Sequence, residues 1–229
     1  MDDKFIRSKG LIGDEYFAKL ENTKVCIVGL GGVGGTVFES LLRSGVRNFV
    51  LIDMDNVGPS NLNRQVLYKE IDIGKPKVEV AKNYAKSINP LAEVACFNSN
   101  INDFCLEYLI ENKVDYIVDA IDDVNGKIKL CEFAKRNNIS FIMSLGMANR
   151  LDPSKVIITK LNKTTTDPLA KKIRYEIKKL NMDANSIIVA FSTEEPIKDK
   201  NKLHSMIMVP SSAGLNIAYY LINDICKNK

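Results

Sequence analysis

The chain has 229 residues, enough for one sizeable core or a main domain with a modest appendage. Hydrophobic residues at 45% and charged residues at 26% exclude a disordered or fibrous chain. A net charge of +4 permits nucleic-acid binding without demanding it, and no apolar run reaches the roughly 18 residues that span a bilayer. The start, MDDKFIRSKG, has no apolar signal-peptide core, so the expected location is the cytoplasm, with no membrane partner.

Residues 24–30 (KVCIVGL) form a short β-branched apolar run ending in glycine, and residues 33–44 then carry apolar side chains at helical spacing. Residues 49–53 (FVLID) read as a parallel strand covered on two faces. Pro76 opens a helix that stops near Asn89 and Pro90. Residues 94–97 follow as strand, 104–111 as helix and 116–119 (YIVD) as a buried strand. A helix through Cys131 and Ala134 leads to a strand at 141–144. This alternation predicts a Rossmann-like, doubly wound, mainly parallel α/β sheet with ligand at the carboxyl ends of its strands.

Beyond residue 150 the pattern predicts strands at 156–160 and 187–191 around a basic helix at 168–180, an antiparallel extension of the sheet. Residues 193–209 mix Pro, Lys, Asp and Glu without periodicity and read as an exposed loop, and residues 211–226 as a closing helix. The expected organisation is one domain over 1–229, with a nucleotide-binding core at 1–150 and a substrate-side extension at 151–229.

Gly29-Leu30-Gly31-Gly32-Val33-Gly34 fits G-x-G-x-x-G between a strand and a helix. Missing Cβ atoms let backbone approach phosphate, and the helix N-terminus supplies N–H donors and a positive dipole end. Asp53 follows about 20 residues later, where an acid accepts ribose hydroxyls. The motif by itself does not separate a dinucleotide from ATP. The loop Ser60-Asn61-Leu62-Asn63-Arg64-Gln65, followed by Lys75 and Lys77, does so. A hydride transferase needs no such cation cluster, whereas an enzyme displacing pyrophosphate must hold growing negative charge.

Asp119-Ala120-Ile121-Asp122-Asp123 ends a strand at the same sheet edge, and Asp122 could hold Mg²⁺ between phosphates. Asp123 reads equally as a helix N-cap, and Asp119 as a buried strand-end acid. The cysteines Cys26, Cys96, Cys105, Cys131 and Cys226 form no C-x-x-C pair, so zinc is not expected, and His204 is the only histidine.

GLGGVGG, LIDMDNV, SNLNRQ, GKPKVE and DAIDD resemble, in order and spacing, the ThiF/MoeB superfamily of ubiquitin-activating-enzyme-like adenylyltransferases. The resemblance implies a homodimer that binds ATP and turns a carboxylate into an acyl-adenylate. It places Gly29, Gly31, Gly32 and Gly34 in the phosphate turn and Asp53 and Asp55 beside the ribose. It puts Asn61, Arg64, Gln65 and Lys77 on the triphosphate, Asp122 with Mg²⁺, and Arg7 across the two-fold axis in the partner's site. The catalytic set it implies is Arg64, Asp122, Lys77 and the partner's copy of Arg7.

SLGMANRLDPSKVIITKLNKTTTDPLAKKIR, FSTEEPI and PSSAGL are similar to the TcdA (CsdL) subgroup, the tRNA threonylcarbamoyladenosine dehydratases. That likeness implies ATP-dependent cyclisation of N6-threonylcarbamoyladenosine in tRNA, with a sulfur-relay protein as a candidate partner. The segment between Pro196 and Val209 is shorter than in such relatives. The rival readings are activation of the C-terminus of a ubiquitin-like sulfur carrier and an ATP-sensing module without turnover. Lys171, Arg174 and Lys178 lie along one face of the basic helix and read either as a tRNA phosphate contact or as a solvated face.

Overall fold

The computed structural model describes residues 3–198 and 203–227. One seven-stranded sheet organises the chain, in the order β3-β2-β1-β4-β5-β7-β6. Its first five strands are β1 (Lys24–Val28), β2 (Asn48–Ile52), β3 (Glu93–Phe97), β4 (Tyr116–Asp119) and β5 (Ser140–Ser144), all parallel. Their β-branched and aromatic residues are buried on both faces, as parallel strands between helical layers must be. In the extension, β7 (Ile188–Ser192) runs parallel to β5, and only β6 (Val156–Lys160) is antiparallel. The antiparallel character expected of the whole extension therefore belongs to its edge strand, and β7 starts one residue later than its sequence pattern suggests.

The helices form two layers. On one face α3 (Gly32–Ser44), α4 (Lys77–Ile88) and α8 (Met208–Lys227) share a core that includes Phe38, Leu41, Ala81, Ile217 and Leu221. Burying a side chain such as Leu41 or Ile217 contributes about 1.5–3 kcal/mol, which is what holds the closing helix to α3. On the other face, α5 (Asp103–Glu111), α6 (Val124–Arg136) and α7 (Pro168–Lys179) pack through Leu109, Leu130, Ile173 and Ile177. Pro210 lies in the first turn of α8, where its missing N–H breaks no helical bond, so the helix begins three residues before the expected start.

Two N-terminal helices have no counterpart in the sequence reading. They are α1 (Ile6–Ile12) and α2 (Asp14–Asn22), separated at Gly13 with φ +85°. Only Phe17 and Leu20 of α2 are buried, too few apolar positions to announce an amphipathic helix. Among the described residues, no helix is long and apolar enough to cross a membrane.

The register fixes where ligand can bind. Val28 lies level with Ile52 on one side and Asp119 on the other, and Ile52 lies level with Phe97. The chain therefore leaves β1, β2, β3 and β4 at one edge, with the switch in strand order between β1 and β4 at its centre.

Candidate nucleotide site

A cavity of about 790 Å³ opens at that edge. The glycine turn forms its floor. Gly29 has φ +89°, and a Cβ there would lie 2.6 Å from the Ala120 carbonyl, so β1 and β4 leave room only for glycine. Gly31 caps α3 and lines the cavity, aiming the N-terminus of a 13-residue helix at it. Gly32 and Gly34 stand elsewhere: a Cβ on Gly32 would press on Pro210 of α8 at 3.1 Å, and one on Gly34 would overlap the Gly29 carbonyl. Both are packing glycines outside the lining.

Asp53 braces the glycine turn. Its Oδ2 accepts the Leu30 N–H at 2.6 Å and its Oδ1 the Asp55 N–H at 2.8 Å, while the Tyr68 hydroxyl donates to the Leu30 carbonyl at 2.9 Å. Leu30 is thus held from both sides, which pins the turn before any ligand arrives. Carboxylate oxygens accept more than one donor each, so Asp53, which lines the cavity, keeps capacity for a hydroxyl.

The opposite wall is cationic. Lys77, 4% exposed, donates to Asp55 Oδ2 at 2.8 Å. Arg64 is half-buried and uses Nη1 on the Ser60 carbonyl at 2.7 Å and on Asn63 Oδ1 at 2.9 Å. Asn61 holds its own turn by accepting the Gly58 N–H at 2.9 Å. Gln65 is 5% exposed, and its buried Oε1 has no hydrogen-bond partner among the described residues, an acceptor prepared for a donor from outside. Asn61, Arg64, Gln65 and Lys77 all line the cavity. Lys75, which the sequence places with them, pairs instead with Asp72 at 3.1 Å and lies outside the lining.

The three aspartates after β4 separate cleanly. Asp119 is fully buried in an ion pair with Lys127, 2.9 Å from Oδ1 to Nζ, and Lys127 also donates to the Ser144 carbonyl at 2.7 Å. Desolvation raises the Asp119 carboxyl above its ordinary range, opposed by the Lys127 charge. Asp123 is the N-cap of α6, accepting the Gly126 N–H at 2.6 Å. Asp122 is exposed, and it lines the cavity together with Asp123. Among the described residues no three acidic, His or Cys side chains converge to hold a metal. The exposed Asp122 carboxylate suits an ion such as Mg²⁺, most of whose ligands in a nucleotide site are phosphate oxygens and water.

The thiols are not arranged as nucleophiles. Burial raises Cys26, Cys96 and Cys131, the last two to about 11 and about 12, and raises Cys226 as well, so thiolate is disfavoured at all four. Cys105 is buried beside the Ser99 hydroxyl, 3.6 Å from it.

A model of the ThiF family matches residues 6–190. The chain belongs to the ThiF family. It is 33% identical over 243 residues to tRNA threonylcarbamoyladenosine dehydratase of Bacillus subtilis (strain 168), covering 98% of this chain and 95% of that protein. It is 37% identical over 202 residues to the Haemophilus influenzae (strain Rd) protein of the same name, covering 84% and 77%. The crystal structure of E. coli tRNA N6-threonylcarbamoyladenosine dehydratase, TcdA, in complex with ATP matches at a TM-score of 0.90. The identity is 28%, over 97% of this chain and 93% of that chain.

Within this ThiF-family site, sequence reasoning missed Ser99, Asn100, Ile101 and Asn125, which line the cavity from the ends of β3 and α6. Isolated residues of mixed type, three in the loop after β3 and one in the first turn of α6, carry no spacing signal. Lys127 did carry one, because it falls on the apolar stripe of α6 with Leu130, Cys131 and Ala134, where a lysine must find a buried partner. Arg7 is exposed on α1 and does not line its own chain's cavity. On α7, Lys171 and Lys178 are exposed, while Arg174 turns inward and donates to the Thr164 carbonyl at 3.0 Å and to its hydroxyl. The expected stripe of three cations thus keeps two that face solvent.

Proposed function

We propose that this chain is an ATP-dependent tRNA threonylcarbamoyladenosine dehydratase. One observation carries the reading. A pinned glycine turn, a cationic wall and the Asp122 carboxylate line one cavity, in a chain that matches dehydratases of that name over nearly its whole length. The threonyl carboxylate of the modified base attacks the α-phosphorus of ATP, and pyrophosphate leaves. A nitrogen of the same substituent then attacks the acyl carbon, AMP departs with the bonding pair, and the ring closes with net loss of one water. Because nucleophile and acyl group share one substituent, proximity replaces an external nucleophile, which suits a cavity that no cysteine among the described residues lines.

The α3 N-terminus and Gly31 receive the phosphates, Asp53 the ribose, and Arg64, Lys77, Asn61 and Gln65 the triphosphate as charge moves onto the leaving group. Asp122 would hold Mg²⁺, which supplies further neutralisation of that charge. The finer parts of the reading are a homodimer in which Arg7 reaches the partner's triphosphate, and a tRNA contact through Lys171 and Lys178. Mass spectrometry of tRNA nucleosides after incubation with protein and ATP tests the reaction. The expected result is ATP-dependent conversion of N6-threonylcarbamoyladenosine to a product lighter by one water, with AMP and pyrophosphate released. Pyrophosphate release that requires a small carrier protein with a free C-terminus, and not tRNA, would overturn it.

A further inference from the structure

Asn63 stands between the arginine of the cationic wall and a segment distant in sequence. Its Oδ1 accepts Arg64 Nη1 at 2.9 Å, and its Nδ2 donates to the Ser205 carbonyl at 2.9 Å. One small amide thus serves both sides with its only acceptor oxygen and one of its donors. The segment around Ser205 is anchored again through Asn149, whose N–H donates to the His204 carbonyl and whose Oδ1 accepts the His204 N–H, both at 2.7 Å. Asn149 has φ +59°, a left-handed conformation that asparagine tolerates better than most residues. The next residue, Arg150, is buried and paired with Asp167, and it donates to the Glu194 carbonyl at 3.0 Å. One end of this series of bonds is therefore fixed in the protein. The other end is the Arg64 guanidinium, half-buried at the wall of the cavity.

That asymmetry has a thermodynamic consequence. Arg64 engages the protein only through Nη1 in these bonds, so the other edge of its fork can meet phosphate oxygens. Once phosphate orders the guanidinium, Asn63 no longer loses rotamer freedom in holding Arg64, and its bond to Ser205 strengthens. Linkage then requires the reverse effect, with an ordered 203–206 segment favouring nucleotide.

We propose that Asn63 is a positioning residue that couples nucleotide binding at Arg64 to the order of residues 203–206. The inference rests on the reading of Arg64 as a triphosphate ligand and adds to it a route from that ligand to a segment distant in sequence.

Hydrogen exchange of the full chain, with and without a non-hydrolysable ATP analogue at saturation, tests this. In the wild type the analogue should slow exchange in the peptide covering residues 203–207 about fivefold, the lower end of ordinary coupling between sites. Asn63→Asp keeps an acceptor for Arg64 and loses the donor to Ser205, and Asn63→Leu is its uncharged control; in both, bound analogue should leave that peptide unchanged. Asn149→Gly keeps the positive φ and removes the His204 acceptor. It should abolish the same response, and the Asn63→Leu/Asn149→Gly double variant should lose no more than either single one. Slowing that persists in both Asn63 variants would overturn the coupling, as would a wild type that binds the analogue without slowing. A wild type that fails to bind the analogue would overturn the functional reading along with it.

Discussion

Lys77 and Lys127 are both buried lysines paired with an aspartate, yet the two pairs do different work. The partner of Lys127, Asp119, is as buried as the lysine, and the Ser144 carbonyl takes a further ammonium proton. The partner of Lys77 is Asp55, whose side chain is 54% exposed, and both residues line the nucleotide cavity. Arg150 and Asp167 repeat the closed arrangement, bonded to Gly146, Ala148 and Glu194, while Arg64 and Asp122 line the cavity without pairing with each other. A charge enclosed by its own protein holds strands and helices in place. A charge left partly unsatisfied at a cavity is available to a ligand.

Breaking a closed pair should have the largest effect, and on stability. Lys127→Ala strands the Asp119 carboxylate in the core and should cost about 3–5 kcal/mol, read as a lowered urea midpoint. Replacing both partners with apolar residues of similar volume should recover most of the loss. If Lys127→Ala unfolds at the wild-type midpoint, the closed pair is not structural.

Breaking the open set should move activity and leave stability alone. Arg64→Ala and Asp122→Ala should each lower kcat/KM about 10²- to 10³-fold, the scale of losing one preorganised charge at the transition state. Melting temperatures should stay within about 2 °C of wild type, since surface substitutions away from such features usually change stability by less than about 0.5 kcal/mol. Turnover retained in either variant would remove that residue from the triphosphate.

A smaller signal is expected if, as proposed, two subunits share their sites. Arg7→Ala should be inactive, yet mixing it with Asp122→Ala under conditions of subunit exchange should restore about a quarter of wild-type activity. Half the dimers are then mixed, each with one intact site. No recovery despite demonstrated exchange would place Arg7 outside any shared site. The smallest effect is expected on α7. Lys171→Glu and Lys178→Glu should weaken tRNA binding severalfold and each lower the salt slope by about one, without changing ATP affinity.

The strand ends at Gly29, Asp53 and Asp119 were legible because they carry local signals: apolar runs short enough for strands, a glycine turn, and acids where the runs stop. That Asn61, Arg64, Gln65 and Lys77 gather at one cavity was legible for a chemical reason, since that many phosphate-binding types so close together suit a triphosphate. The α1 and α2 helices were not, because most of their residues face solvent and only Phe17 and Leu20 mark a buried face.

By itself, then, the sequence determined the alternation of strands and helices, the glycine turn and the chemistry of the cationic loop, all of which depend on neighbours within a few positions. The tertiary structure decided which of the charges face the cavity. It closed Asp119 onto Lys127, turned Lys75 toward Asp72, drew Arg174 to Thr164, and left Arg64 and Asp122 at the cavity. It also assigned Gly32 to α8 and Gly34 to the Gly29 carbonyl, although both belong to the phosphate-binding motif. The reason is physical: whether a polar group is satisfied depends on partners brought by other elements, and no spacing along the chain reports them.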